Sequence, residues 1–119
     1  MKISCGIDIE RISRFEKYGE KDRERLLKFF SPSELDYCFC KKTYANSLCA
    51  RFCAKEAVIK ALCSHGLPKP FLNQIEVVME GEVPKIKLSK NYPAQNINIS
   101  LSLSHCEDYA CANAVVYEN

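Results

Sequence analysis

Three charged residues have types and settings that could do chemistry. Asp8 stands in "CGIDIERI", and Glu56 and Lys60 stand in "ARFCAKEAVIKAL". Strands disfavour aspartate, so Asp8, at or near a strand end, needs a reason to be there. Read as a helix, residues 50–62 are mostly apolar, yet Glu56 and Lys60 share one stripe flanked by Phe52, Cys53 and Ile59. Two carboxylates plus substrate phosphates are the usual way to hold Mg2+, because that ion keeps several waters. A lysine beside them meets a phosphate as a point charge. His105, in a strand-end turn, can donate to another phosphate. Each residue also has a plainer reading. Glu56 and Lys60 can be an i,i+4 pair worth about 0.2–0.5 kcal/mol, Asp8 a turn or capping residue, and His105 a surface histidine. "SLSH" does not supply a nucleophile–base dyad, since neighbours on a strand point to opposite faces. No Walker loop, G-x-S-x-G or G-x-G-x-x-G is present.

The elements that position these residues follow from periodicity. Ile3, Cys5, Ile7 and Ile9 alternate with Ser4, Gly6, Asp8 and Glu10, which predicts a first strand. From about Ile12 the pattern is charged and helical, with a break at Gly19. In "FSPSELDYC", Ser31 can cap, Pro32 suits the first helical position and Glu34 completes a capping box. A longer helix starts near Asn46 or Ser47 and runs to about Cys63, with Ala54, Ala57 and Ala61 as a small-residue face for close packing. Gly66, Pro68 and Pro70 mark a loop. "NQIEVVMEGEVPKIKL" reads as two strands around the Glu80–Pro84 turn, "NINISLSLSH" as a third and "YACANAVVY" as a last one. The predicted fold is α+β: a single domain over 1–119, with a mainly antiparallel sheet against a long central helix and additional short helices.

Composition narrows the function. The apolar content of 47% and charged content of 27% are those of a soluble globular protein. No apolar run reaches the ~18–20 residues of a membrane span. The acidic residues near the start argue against a signal peptide, so a cytoplasmic location is expected. The net charge of +2 is uneven: residues 1–62 carry +4 and residues 63–119 carry −2. An acidic partner for the first half is one explanation, and a solvated surface is the other. Nucleic acid is not favoured, because the total charge is low and surface aromatics are not interleaved with the basic residues. Eight cysteines contain no C-x-x-C, and the two histidines lie 40 residues apart. Free cysteines packing as small hydrophobes are expected rather than a zinc site.

Four stretches in order carry a family resemblance. "GIDIERISRF" has Gly6, Asp8 and Arg14 in the pattern G-x-D-x-x-x-x-x-R. "FSPSELDYC" is similar to the family's segment before its central helix. "RFCAKEAVIKAL" resembles R-F-x-A-K-E-A-x-x-K-A, and "ISLSHCEDYACANAVV" resembles S-x-S-H-x-x-x-Y-A-x-A. Together they span nearly the whole chain. They identify it as a member of the holo-[acyl-carrier-protein] synthases, the short class of 4′-phosphopantetheinyl transferases.

The resemblance implies Mg2+-dependent transfer of 4′-phosphopantetheine from coenzyme A to a serine of apo acyl carrier protein. Adenosine 3′,5′-bisphosphate leaves, and the reaction supports fatty acid biosynthesis. A homotrimer with active sites between subunits is implied too. Asp8, Glu56 and Lys60 would be the catalytic residues, with Asp8 and Glu56 on the metal and Lys60 on the diphosphate. His105 would lie near a phosphate of coenzyme A, and Lys55, in the same signature as Lys60, is a further contact; Lys41 and Lys42 are placed at the nucleotide phosphates by charge and position more than by a motif. Arg14 and the basic helix bearing Lys21, Arg23, Arg25 and Lys28 would dock the acidic carrier protein. Glu56, a water on the metal and Glu34 are the candidates for taking the serine proton. Where the family commonly has glycine after the central helix, this chain has Cys63, Ser64 and His65, a loop expected to shape the pantetheine channel. Cys53 and Cys111 stand where small residues are common.

Overall fold

A computed structural model describes residues 1–118. Strand β1 (Ile3–Arg11) leads into a 3-10 turn at Ile12–Phe15, a second at Glu20–Asp22 and a one-turn helix α1 (Arg23–Leu26). The basic segment is therefore several short pieces, broken at Gly19, and not one helix. Next come α2 (Pro32–Phe39) and α3 (Tyr44–Ser64). Strands β2 (Ile75–Glu80), β3 (Val83–Leu88), β4 (Asn98–His105) and β5 (Tyr109–Tyr117) complete the chain.

Local chemistry sets the helix ends. The Ser31 hydroxyl accepts from the Glu34 N–H (3.1 Å), and the Glu34 carboxylate accepts from the Ser31 N–H (2.8 Å). This is the reciprocal capping box, with Pro32 at the first helical position. At the end of α3, Leu67 N–H returns to Leu62 O and Gly66 N–H to Cys63 O, both at 3.0 Å. This Schellman closure needs a left-handed residue, which Gly66 supplies at φ 87°.

The main sheet has the order β1-β5-β4 and is antiparallel throughout; β2 and β3 form a separate hairpin. Helix α3 lies between the main sheet and a layer holding α2 and β2. Leu48, Cys53, Ala57 and Ala61 are fully buried, as are Leu35 and Cys38 of α2. Alanines 110, 112 and 114 form the inner face of β5, so the helix approaches the sheet closely. Gly6 marks the tightest point: a Cβ there would lie 2.1 Å from Ala57 O and 2.7 Å from Ala61 N.

The alternation of β1 runs opposite to the usual rule. Ser4, Gly6, Asp8 and Glu10 face α3, whereas Ile3, Ile7 and Ile9 point outward, each 63% exposed. Through the register, Val115, Asn113 and Cys111 of β5 share that outer face with the isoleucines. All eight cysteines are free. No helix of the described residues is long and apolar enough to cross a membrane.

Candidate active site

The contact at Gly6 decides what meets Asp8. It presses β1 onto α3 at Ala57, Lys60 and Ala61. Two residues along the strand, Asp8 enters the groove between the strand and the helix. The Lys60 ammonium donates to Ile7 O (2.9 Å) and lies 3.4 Å from Asp8 Oδ1. Asp8 Oδ2 is buried and has no hydrogen-bond partner. An orphaned, buried carboxylate oxygen is costly unless something cationic joins it. The Cys53 thiol completes this corner and donates to Ala110 O (3.4 Å). The nearby Cys49 thiol, burial and the neighbouring Asp8 all push that thiol's pKa upward, so it stays protonated.

Glu56 lies one turn before Lys60 on α3 and is half-buried. It opens onto a cavity of about 450 Å3 whose walls include Lys28, Phe29, Ile59, Lys69 and Phe71. Two carboxylates on facing elements, one with a free buried oxygen, fit a hard divalent cation. Among the described residues no third His, Cys, Asp or Glu joins them in a cage. A cation here would complete its shell with water or substrate oxygens, which is the manner of Mg2+.

Lys55 does not belong to this site. It is fully buried, and its ammonium contacts Glu34 Oε1 (2.6 Å), Phe29 O (2.6 Å) and Leu72 O (3.3 Å). All three of its donors are occupied inside the chain, so it has none for a phosphate. Burial pulls its pKa down, against the opposing pull of Glu34. Glu34 is corrected with it. Its carboxylate is buried and takes Ser31 N–H, Val77 N–H and Lys55, so it is committed to contacts inside the chain.

Arg51 is the residue that pattern reading passed over. It is 5% exposed, its guanidinium stacks on the Tyr37 ring at 4.1 Å, and its Nε has no partner. It lines a second cavity, about 490 Å3, with Ser33, Tyr37, Glu76 and Lys87. Lys41 lies over the same Tyr37 ring at 4.7 Å, which brings two cations to one aromatic. Lys42 is exposed nearby in sequence. The available signal was an arginine on a buried helix with no acidic residue one turn away.

His105 ends β4 opposite Ala110 and borders a small cavity with Ile9, Ser104 and Tyr109. Thus one chain brings Asp8 to Lys60, with Glu56 one helical turn before Lys60, but leaves Arg51, with Lys41 on the same Tyr37 ring, and separately His105, bordering other cavities. The segment at 63–65 does not line the Glu56 cavity; residues 69–73 do. His65 turns inward, with Nδ1 2.9 Å from Ser4 Oγ.

Of the basic residues near the N-terminus, Arg14 pairs with Glu10 (2.7 Å) and stacks on Phe52. Arg23 holds Glu20 and Asp36, and Arg25 holds Asp22 (2.6 Å). Lys21 and Lys28 are exposed, with no ion pair among the described residues.

Comparison with known proteins gives the family and the fold. The profile of the 4′-phosphopantetheinyl transferase superfamily matches residues 4–114. Holo-[acyl-carrier-protein] synthase of Moorella thermoacetica is 39% identical, over 96% of this chain and 93% of its own. That of Chlamydia muridarum is 38% identical, over 92% and 87%. Among solved structures, the Helicobacter pylori synthase in complex with coenzyme A superposes with a TM-score of 0.75 at 34% identity, covering 95% of this chain and 99% of that one. The Bacillus anthracis synthase in complex with CoA (3′,5′-ADP) gives 0.78 at 25% identity, covering 98% and 96%. The chain belongs to the 4′-phosphopantetheinyl transferase superfamily, as a transferase of the holo-[acyl-carrier-protein] synthase type.

Proposed function

We propose that this transferase moves 4′-phosphopantetheine from coenzyme A to a serine hydroxyl of apo acyl carrier protein, with Mg2+, in the cytoplasm and in support of fatty acid biosynthesis. The observation that carries the reading is the unpartnered, buried Asp8 Oδ2 beside Lys60, with Glu56 one helical turn away. Asp8 and Glu56 would hold the metal. When bound, Mg2+ neutralises the diphosphate and stabilises charge on the leaving group.

The chain's own residues do the rest. The Lys60 ammonium, which donates to Ile7 O, is the cation for a diphosphate oxygen. Glu56 faces the cavity from which an acceptor serine enters, and takes its proton. The serine Oγ forms a bond to the β-phosphorus, while the bond from that phosphorus to the bridging oxygen breaks. The oxygen leaves with adenosine 3′,5′-bisphosphate. Arg51 and Lys41, stacked on Tyr37, are suited to the nucleotide phosphates, and His105 and Lys42 to their periphery.

Because one chain does not bring these two sets of cations together, the reading includes a homotrimer with active sites shared between subunits. The apolar outer face of β1 supports this, since contiguous exposed isoleucines mark an association surface. Intact-mass spectrometry of apo carrier protein incubated with the protein, coenzyme A and Mg2+ tests the reaction. An EDTA-sensitive gain of one phosphopantetheine is expected. No gain with several carrier proteins, by folded enzyme, would refute the assignment.

A further inference from the structure

We infer that the cleft between Phe29 and Phe71 seats the carrier-protein segment that presents the acceptor serine, and that Phe71 and Lys69 determine which carriers are accepted. This rests on the transferase reading above. It extends the docking surface from the basic N-terminal segment to the loop after α3.

Four observations converge. Glu56 lines the cleft, so whatever fills it lies beside the candidate proton acceptor. Its lips are apolar and open: Phe71 is 77% exposed and Phe29 40%. A smaller cavity, about 210 Å3, continues past Lys28 and Phe29 to Tyr18 and Arg25, which lengthens the surface. Its charge is one-sided: Lys28 and Lys69 stand on the rim, and Glu56 is the one acidic residue in the lining. An apolar centre with a cationic rim matches an acidic protein segment carrying an apolar anchor. The pantetheine arm is neutral and has no use for those lysines. The phosphates have cations elsewhere, in Lys60, Arg51 and Lys41.

The cleft is also built in advance. One buried ammonium, Lys55, donates to Phe29 O on one lip and to Leu72 O on the other. Phe71 N–H donates to Gln74 Oε1 (2.9 Å), and Gln74 N–H returns to Phe71 O (3.0 Å). Phe71 is thus held out into solvent by an ordered loop. Displaying a large aromatic this way makes sense where a partner covers it, because a preordered lip lowers the entropy lost on binding.

The test compares wild type, Phe71→Ala and Lys69→Glu in steady state, varying apo carrier protein and coenzyme A separately, with circular dichroism melts as control. Phe71→Ala should raise KM for carrier protein about ten- to thirtyfold. Lys69→Glu should raise it several-fold at low salt, with the difference shrinking as salt rises. KM for coenzyme A should stay within about twofold in both, and the melts should coincide. A rise in the coenzyme A KM with the carrier KM unchanged would assign the cleft to the pantetheine arm and overturn the inference. Wild-type kinetics with both KM values unmoved would overturn it as well. A wild-type enzyme that modifies no carrier protein would instead overturn the transferase reading on which it rests.

Discussion

Replacing Lys55 by methionine separates a structural pin from a phosphate ligand. Lys55 and Glu34 form an ion pair at 2.6 Å in which both side chains are about 1% exposed. Methionine matches the aliphatic stem but removes the charge, leaving the Glu34 carboxylate buried with only the Ser31 and Val77 N–H donors. Breaking one side of a buried pair costs about 3–5 kcal/mol. For a domain of this size the melting temperature should fall by roughly 10–25 °C. The double variant Lys55→Met, Glu34→Gln removes the stranded charge. The substituted amide keeps one acceptor oxygen for two backbone N–H groups that meet different carboxylate oxygens in the wild type. The double variant should recover at least about 1.5 kcal/mol relative to the sum of the single variants. The assay is urea unfolding at fixed protein concentration, since association would shift the apparent stability, with coenzyme A affinity measured alongside. A loss under about 1 kcal/mol for Lys55→Met, or strict additivity in the cycle, would refute the pin. Unchanged stability with weakened coenzyme A binding would restore Lys55 to the phosphate site.

Other expectations are as direct. Asp8→Asn should lower Mg2+-dependent turnover at least about a hundredfold and abolish calorimetric metal binding, while the melting temperature hardly moves, since the altered Oδ2 has no partner in the fold. Arg51→Ala should raise KM for coenzyme A tenfold or more and leave KM for carrier protein unchanged; the reverse pattern would remove it from the nucleotide pocket. Gly6→Ala should destabilise by about 3 kcal/mol or more by urea unfolding, because its Cβ would meet backbone, which cannot rotate away. The Asp22 carboxyl is held below its ordinary pKa by the Gly19 N–H, then by Arg25. Its contribution is therefore present above the unfolded value of about 3.9 and is lost as pH falls through the folded value, so Asp22→Asn should flatten the acid limb of stability against pH.

Much of the scaffold could be read from the chain because the signals were local. The Ser31–Glu34 box, the period-two runs of β4 and β5 and the Ala54–Ala57–Ala61 stripe need no tertiary information, and each appears where expected. The basic segment after β1 misled because its charge pattern is helical, while Gly19 and the packing of Ile12, Phe15 and Leu26 cut it into single turns. Lys55 and Arg51 misled for a different reason. Both are cations on one stripe of a buried helix, and sequence spacing does not say what faces that stripe. Lys55 faces Glu34 and two carbonyls contributed by distant loops. Arg51 faces Tyr37 and a cavity. The fate of each is decided by residues at least 14 positions away.

Strand β1 shows why the site and the proposed assembly belong together. A strand alternates, so seating Asp8 against α3 obliges Ile7 and Ile9 to face outward. Shifting the register by one residue would bury the isoleucines but turn Asp8 to solvent and drive a side chain into the Gly6 contact. The orphaned oxygen inside and the apolar surface outside are therefore one decision of the fold. A second copy seated on that face would lie one residue away from Asp8. Covering the isoleucines and completing the set of phosphate-binding cations would then be the same event.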